Sequence, residues 1–138
     1  MSAKFHILED VRFSNGILSI EIADLNTGMP DGLVGLPLVV TEQSQRYLVQ
    51  FPAIAGFRSV PEPLNGLSDS SKEVYPFLFL EMDSEYLREC ANDAKYFVYG
   101  SERPENPSIR HYVVYGENTV IHVLSATEPH VTSPYSSA

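Results

Sequence analysis

SIRHYVVYGENTVIHVLS, residues Ser108 to Ser125, is the stretch on which the fold turns. Ile109 to Tyr115 and Thr119 to Leu124 are rich in β-branched and aromatic residues, and Gly116-Glu117-Asn118 between them carries turn chemistry, so the segment reads as a hairpin. Its strands are apolar on both faces. Ile109, Val113 and Tyr115 point one way and Tyr112 and Val114 the other, while Ile121 and Val123 oppose Val120 and Leu124. A strand with one wet face would alternate with polar residues, so this hairpin is expected mid-sheet, covered on both sides.

The same hairpin concentrates the candidate chemistry, Arg110, His111 and His122. An even-length turn, the preferred reading, places His111 and His122 on one face as diagonal neighbours; a three-residue turn brings Arg110 onto the face of His122 instead. Two imidazoles on one face can begin a metal site or form an acid–base pair, since imidazole titrates near neutrality. No Cys or carboxylate at recognisable spacing completes a ligand set, so no metal and no cofactor is assigned. The rings are expected to be structural, packed beside the tyrosines with their polar edges given to a neighbour or to water. The catalytic alternative is a small hydrolase or isomerase in which His111 or His122 is the acid–base group and Arg110 holds an anion. Against it, an arginine at an exposed strand position commonly does no more than pair with a carboxylate.

Working outward, the chain has 138 residues, 43% of them apolar, with eight Tyr and seven Phe, which suits one globular domain. That domain is expected over residues 1–128, with residues 129–138, which hold Pro129, His130 and Pro134, as a loose tail. The single cysteine, Cys90, excludes an intramolecular disulfide framework and fits a reducing compartment. The opening MSAKFHILEDVRF lacks a signal-peptide core and no run approaches a membrane span, so a soluble, cytoplasmic protein is expected. A net charge of -9 argues against nucleic acid or an anionic membrane as partner. Two-thirds of that excess lies between Glu62 and Asp93, where eight acids face only Lys72 and Arg88. Such a run reads either as a solvated face or as a docking surface for a basic protein; in the second case Glu81, Asp83, Glu85, Glu89 and Asp69 would steer the partner, with Tyr75 and Tyr86 as anchors. Self-association is left open.

Local signals mark the remaining elements. Asn15-Gly16 predicts a two-residue hairpin turn pairing Phe13 with Leu18 and Val11 with Ile20 on one apolar face, Asp10 falling opposite Glu21. Residues 24–35 read as an irregular connection without a phosphate-binding fingerprint. Leu36–Thr41 and Arg46–Phe51 read as a second hairpin, Ala53–Val60 as a strand bulged at Gly56, Leu64–Lys72 as a loop and Tyr75–Met82 as a buried strand. A helix is predicted over about residues 83–93, capped by Asp83, stapled by Met82 and Leu87, with Tyr86, Leu87, Cys90, Ala91 and Ala94 as its apolar stripe. Lys95–Gly100 is the next strand. The sum is an α+β domain: a twisted, mainly antiparallel sheet of about six to eight strands, able to close toward a barrel, with one helix across it.

Phe57-Arg58 followed by Glu62, Ser84-x-Tyr86-Leu87 opening a helix, and His111-Tyr112 with a hairpin returning as Val120 to Ser125 together form a rhythm over about residues 50 to 125. It resembles small bacterial proteins of the toxin-immunity type, which neutralise toxins in the cytoplasm. The resemblance implies a non-enzymatic protein-binding module, an inhibitor of a basic toxin, and carries over no catalytic residue, since such proteins act by binding.

Overall fold

The computed structural model describes residues 5–27, 38–41, 43–61, 69–91 and 109–134. Asn15 and Gly16 close the first hairpin at φ 55° and 78°, the doubly positive pair that a type I′ turn requires. β1 (His6–Ser14) and β2 (Ile17–Asp24) pair in the expected register, Phe13 with Leu18, Val11 with Ile20 and Asp10 with Glu21. Arg12 offsets the last, like-charged pair, lying 2.9 Å from Asp10 and 4.0 Å from Glu21. The apolar face divides between the strands. Leu18 and Ile20 are fully buried, whereas Val11 and Phe13, on the edge strand, are exposed.

β5 (Arg46–Phe51) pairs with the inner edge of β2, setting Phe51 against Leu18, Val49 against Ile20 and Tyr47 against Ile22. This corrects the expected hairpin of Leu36–Thr41 with Arg46–Phe51: β4 (Leu38–Val39) instead pairs with β3 (Asn26–Thr27), inside the stretch expected to be irregular. The longer partner wins because it merges two buried apolar rows, and the polar turn Thr41–Ser44 is tied to Asn26 by side-chain hydrogen bonds rather than to β5. β11 (His130–Thr132) completes the four-stranded sheet on the far edge of β5, so these residues are not a loose tail. Val49 opposite Val131 and the bond from Gln45 to Ser133 hold them there.

A five-stranded antiparallel sheet faces the first. Its order is β6 (Ile54–Val60), β10 (Val120–Ser125), β9 (Arg110–Tyr115), β8 (Leu78–Glu81), β7 (Ser71–Tyr75), which puts the Ser108–Ser125 hairpin in the interior as expected. The even turn is the one observed, with Val120 opposite Tyr115 and Leu124 opposite His111. The bulge in β6 falls at Ala55, beside Gly56. Tyr75–Met82 is two elements rather than one strand: Pro76-Phe77 turn the chain, burying Phe77 at the end of the hairpin.

Side chains from the facing sides of both sheets, Leu18, Ile20, Ile22, Val49 and Phe51 against Leu78, Tyr112, Val114, Ile121 and Val123, form one core. The α+β, mainly antiparallel class therefore holds, as two packed sheets with no closed barrel among the described residues. Burying both sides of β9 and β10 needs a second cover, and α1 (Glu85–Ala91) supplies part of it by packing Tyr86 and Cys90 on Leu124. Ser84, not Asp83, caps this helix: its Oγ accepts the Leu87 N–H at 2.8 Å. With the cap one residue later, Met82 is out of staple position and is 66% exposed. The expected continuation to residue 94, the Lys95–Gly100 strand, most of the Leu64–Lys72 loop and Tyr135 lie outside the described residues.

The Gly116–Asn118 turn docks on β1. A Cβ at Gly116 would overlap Leu8 Cδ1 and stand 3.1 Å from Leu8 N, so any larger residue would have to push Leu8 aside. Asn118 uses this close approach: its Oδ1 accepts the Leu8 N–H at 3.0 Å and its Nδ2 donates to the Leu8 carbonyl at 2.9 Å.

Candidate functional site

On the face of the five-stranded sheet turned toward α1, the register sets Glu81 of β8 beside His111 of β9, and His122 of β10 beside Arg58 of β6. The two histidines are diagonal neighbours across β9 and β10, and they bond directly: Nε2 of His111 lies 2.8 Å from Nδ1 of His122. Ser84 reaches the other nitrogen of His111, Oγ to Nδ1, at 2.7 Å. All three residues are buried.

The directions of these bonds follow from satisfying every group. Ser84 Oγ already accepts Leu87 N–H, and giving its own proton to His111 Nδ1 leaves that ring with N–H at Nε2, which donates to His122 Nδ1. The ring-to-ring bond needs at least one neutral ring, and the full chain from Ser84 to His122 needs both. Burial lowers His111 to about 4, helped by the neighbouring His122 and Arg58 and opposed by Glu81. Burial and Arg58 likewise lower His122 to about 4, again against Glu81. Tyr86 lies edge-on to both rings, at 5.4 and 6.2 Å, and the Arg58 guanidinium stacks 4.2 Å over the Tyr86 ring, closing that side.

This arrangement contains the elements of acyl transfer, a hydroxyl on a base that is oriented by a third group. Yet the hydroxyl is also the helix cap, and an imidazole held near 4 is a weak base at neutral pH. As a metal site it is spent, because the ring nitrogens that face each other are bonded to each other; among the described residues no group of three or more His, Cys, Asp or Glu is placed to hold an ion.

Arg110 does not join the histidines. It follows the opposite strand face, opposes Ser125 and is exposed. Arg58 takes the position near the rings that the sequence suggested for Arg110. The acids expected to dock a partner are largely engaged within the chain. Glu81 accepts from Ser70, Ser71 and the Asp83 N–H; Asp83 pairs with Arg88; Glu89 lies 3.8 Å from Arg58. Tyr86, expected as an exposed anchor, is 8% exposed because it covers the histidines. Glu85, Asp69 and Tyr75 do face solvent. Sequence reasoning missed Ser84 and Arg58. Ser is as good a cap as Asp, so a weighed choice at the helix start was the one signal for Ser84; nothing local points to Arg58.

A third buried histidine, His6, forms a separate site on β1. Register opposes His6 to Asp24, and His6 Nε2 approaches Asp24 Oδ1 to 3.2 Å with the two atoms not aligned for a hydrogen bond. Tyr47 Oη donates to the other carboxylate oxygen at 3.5 Å, and Phe77 stands edge-on to the imidazole at 5.4 Å. Burial lowers the His6 pKa, opposed by the charge on Asp24. Burial and the same carboxylate raise Tyr47.

At the open side of the sandwich, Phe13 of β1 and Phe57 of β6, edge strands of different sheets, bring their rings to 5.7 Å while 54% and 39% exposed. Val11 is exposed on the same face of β1. No described helix is long and apolar enough to cross a membrane. Comparison with protein-family models, with curated proteins and with solved structures found no match to this chain.

Proposed function

We propose that this protein is a non-enzymatic binding module for a basic protein, the mode of action of an immunity-type inhibitor, with its contact surface on the Phe13 and Phe57 side. The exposed aromatic pair carries the reading. Rings held in place by two edge strands offer large contact area at little entropic cost, and aromatic side chains are among the types in which binding hot spots are enriched. The net charge of -9 selects a cationic partner and speeds its approach. Asp69 and Glu85 add to that field without being the contact.

The test compares the immobilised chain with Phe13→Ala/Phe57→Ala and with Asp69→Lys/Glu85→Lys in capture from the native host's extract at low and moderate salt. A basic protein held by the wild type should bind the aromatic variant roughly a hundredfold more weakly, about 3 kcal/mol for a hot-spot pair. The charge variant should lose mainly association rate, and only at low salt. Retention indifferent to the aromatic pair would defeat the reading; retention of the chain by itself would replace the basic partner with a second copy.

One observation favours a second reading, a small acyl hydrolase in which Ser84 adds to an ester carbonyl carbon and passes its proton to His111, which returns it to the alkoxide as the ester C–O bond breaks: the 2.7 and 2.8 Å contacts of the chain. It ranks second because the hydroxyl is buried and capping. A fluorophosphonate probe that labels Ser84 in the wild type and not in His111→Ala would reverse that ranking.

A further inference from the structure

We propose that the Ser84–His111–His122 chain is a proton-operated latch that holds α1 on the sheet when neutral and releases it when both rings take up protons. The inference is independent of the binding reading and starts from the bond directions. A first proton enters at His111 Nδ1, the nitrogen that accepts from Ser84. That reverses the serine from donor to acceptor and leaves its hydroxyl hydrogen without its acceptor, while the ring-to-ring bond survives. A second proton at His122 Nδ1 sets N–H against N–H across the 2.8 Å contact and places two cations side by side, so the chain breaks. Ser84 is the helix cap, so what the histidines lose is the anchor of α1 itself.

The surrounding charges set the direction. From β6, Arg58 faces His122 and opposes protonation; from β8, Glu81 faces His111 and favours it, though its carboxylate is shared among Ser70, Ser71 and the Asp83 N–H. On α1, Glu89 partly offsets Arg58, Glu85 and Arg88 are exposed, and Tyr86 presents a ring edge; Asp83 in the preceding turn pairs with Arg88. Arg110 on β9 is exposed on the other side of its strand. Both rings lie near 4 where they are bonded and would return to ordinary values near 6.5 once α1 lifts and water enters. The open form therefore binds more protons throughout that window, and acid favours it by up to tenfold per pH unit per ring. The four-stranded sheet contains neither of these rings, and its own buried histidine, His6, has Asp24 beside it to accommodate a proton, so α1 responds first.

The measurement is amide hydrogen exchange of the full chain from neutral to about pH 4, corrected for the intrinsic pH dependence of exchange. Leu87 and Arg88, which bond to Ser84 Oγ and to the Ser84 carbonyl, report on α1; Ile20 and Val49 report on the other sheet. Below about pH 5 the α1 amides should lose roughly tenfold or more of their protection while Ile20 and Val49 keep theirs. In His122→Asn, whose Oδ1 takes the place of Nδ1 and accepts no proton, the loss should move to lower pH. Simultaneous loss in α1 and the four-stranded sheet, or an unshifted profile in His122→Asn, overturns the latch. Imidazole nitrogen shifts of the wild type keep the test decisive if that variant does not fold: both rings should be neutral at about pH 6 with hydrogen on Nε2, and a charged ring there refutes the proposal.

Discussion

The two buried histidine sites solve the same problem differently. His111 and His122 leave water as neutral rings, each supplying what the other lacks, with Ser84 at one end of the chain. His6, which burial also pushes toward its neutral form, leaves water beside a carboxylate that it approaches without a hydrogen bond, so its site relies on proximity where the other relies on alignment. Alignment makes a site cooperative and sensitive to the loss of any member. A ring beside a carboxylate tolerates misalignment, but the buried carboxylate is costly to leave short of hydrogen bonds.

The largest expected effect comes from breaking the aligned site halfway. His111→Leu strands both the Ser84 hydroxyl and His122 Nδ1, and urea unfolding should show a loss of about 2–4 kcal/mol. Adding His122→Leu removes the second orphan, so the double variant should be less destabilised than the sum of the singles, with a coupling on the order of 1–3 kcal/mol. Strict additivity would mean that the rings merely fill space.

Acid should discriminate next. Both rings are lowered to about 4, so their contribution is fully present above about pH 6.5, the ordinary value, and drains away as pH falls toward 4 because the unfolded chain takes up protons first. At about pH 5 that is on the order of 2 kcal/mol per ring. His6, lowered as well, adds in the same direction. Stability that rose on acidification from pH 7 to about pH 5 would contradict the neutral chain.

Smaller still is Ser84→Ala, which removes a helix cap and a hydrogen-bond donor to His111 at about 1–2 kcal/mol, with helix content falling in circular dichroism. Asp24→Asn should cost about 1 kcal/mol or less, since it removes one long hydrogen bond and a carboxylate that meets His6 without alignment. It should also push His6 further down, by taking away the one charge that holds it up, and histidine NMR titration reads this directly.

How much of this was legible depended on sequence distance. The Asn15-Gly16 register, Asp10 opposite Glu21 included, follows from two adjacent residues and was read correctly. So was the even turn that sets His111 diagonal to His122. The partner of β5 was not, because nothing within Arg46–Phe51 says that β2, some twenty-five residues upstream, offers a better apolar row than the neighbouring segment. Ser84 stayed hidden as a member of the histidine site for the same reason, and the exposure of Phe13 was not legible because periodicity names a face and not its distance from the sheet edge. The acidic run was visible as composition, but its pairing with Arg88, Arg58 and the Ser70–Ser71 hydroxyls exists only in three dimensions.

The grip of Asn118 on Leu8 joins positions 110 residues apart, and that sets a schedule for the newborn chain. The β1–β2 hairpin can form from local contacts within about 1–10 μs. Synthesis at roughly 5–20 residues per second delays Asn118 by several seconds after Leu8 has emerged. Throughout that interval the N–H and carbonyl of Leu8 lie bare on an edge strand, an invitation to pair with another nascent chain. Glu9, Asp10 and Arg12, immediately downstream on the same strand, place both signs of charge along that edge. Their service is greatest during translation, before the last hairpin covers Leu8, and it continues on the part of β1 that stays at the sheet edge.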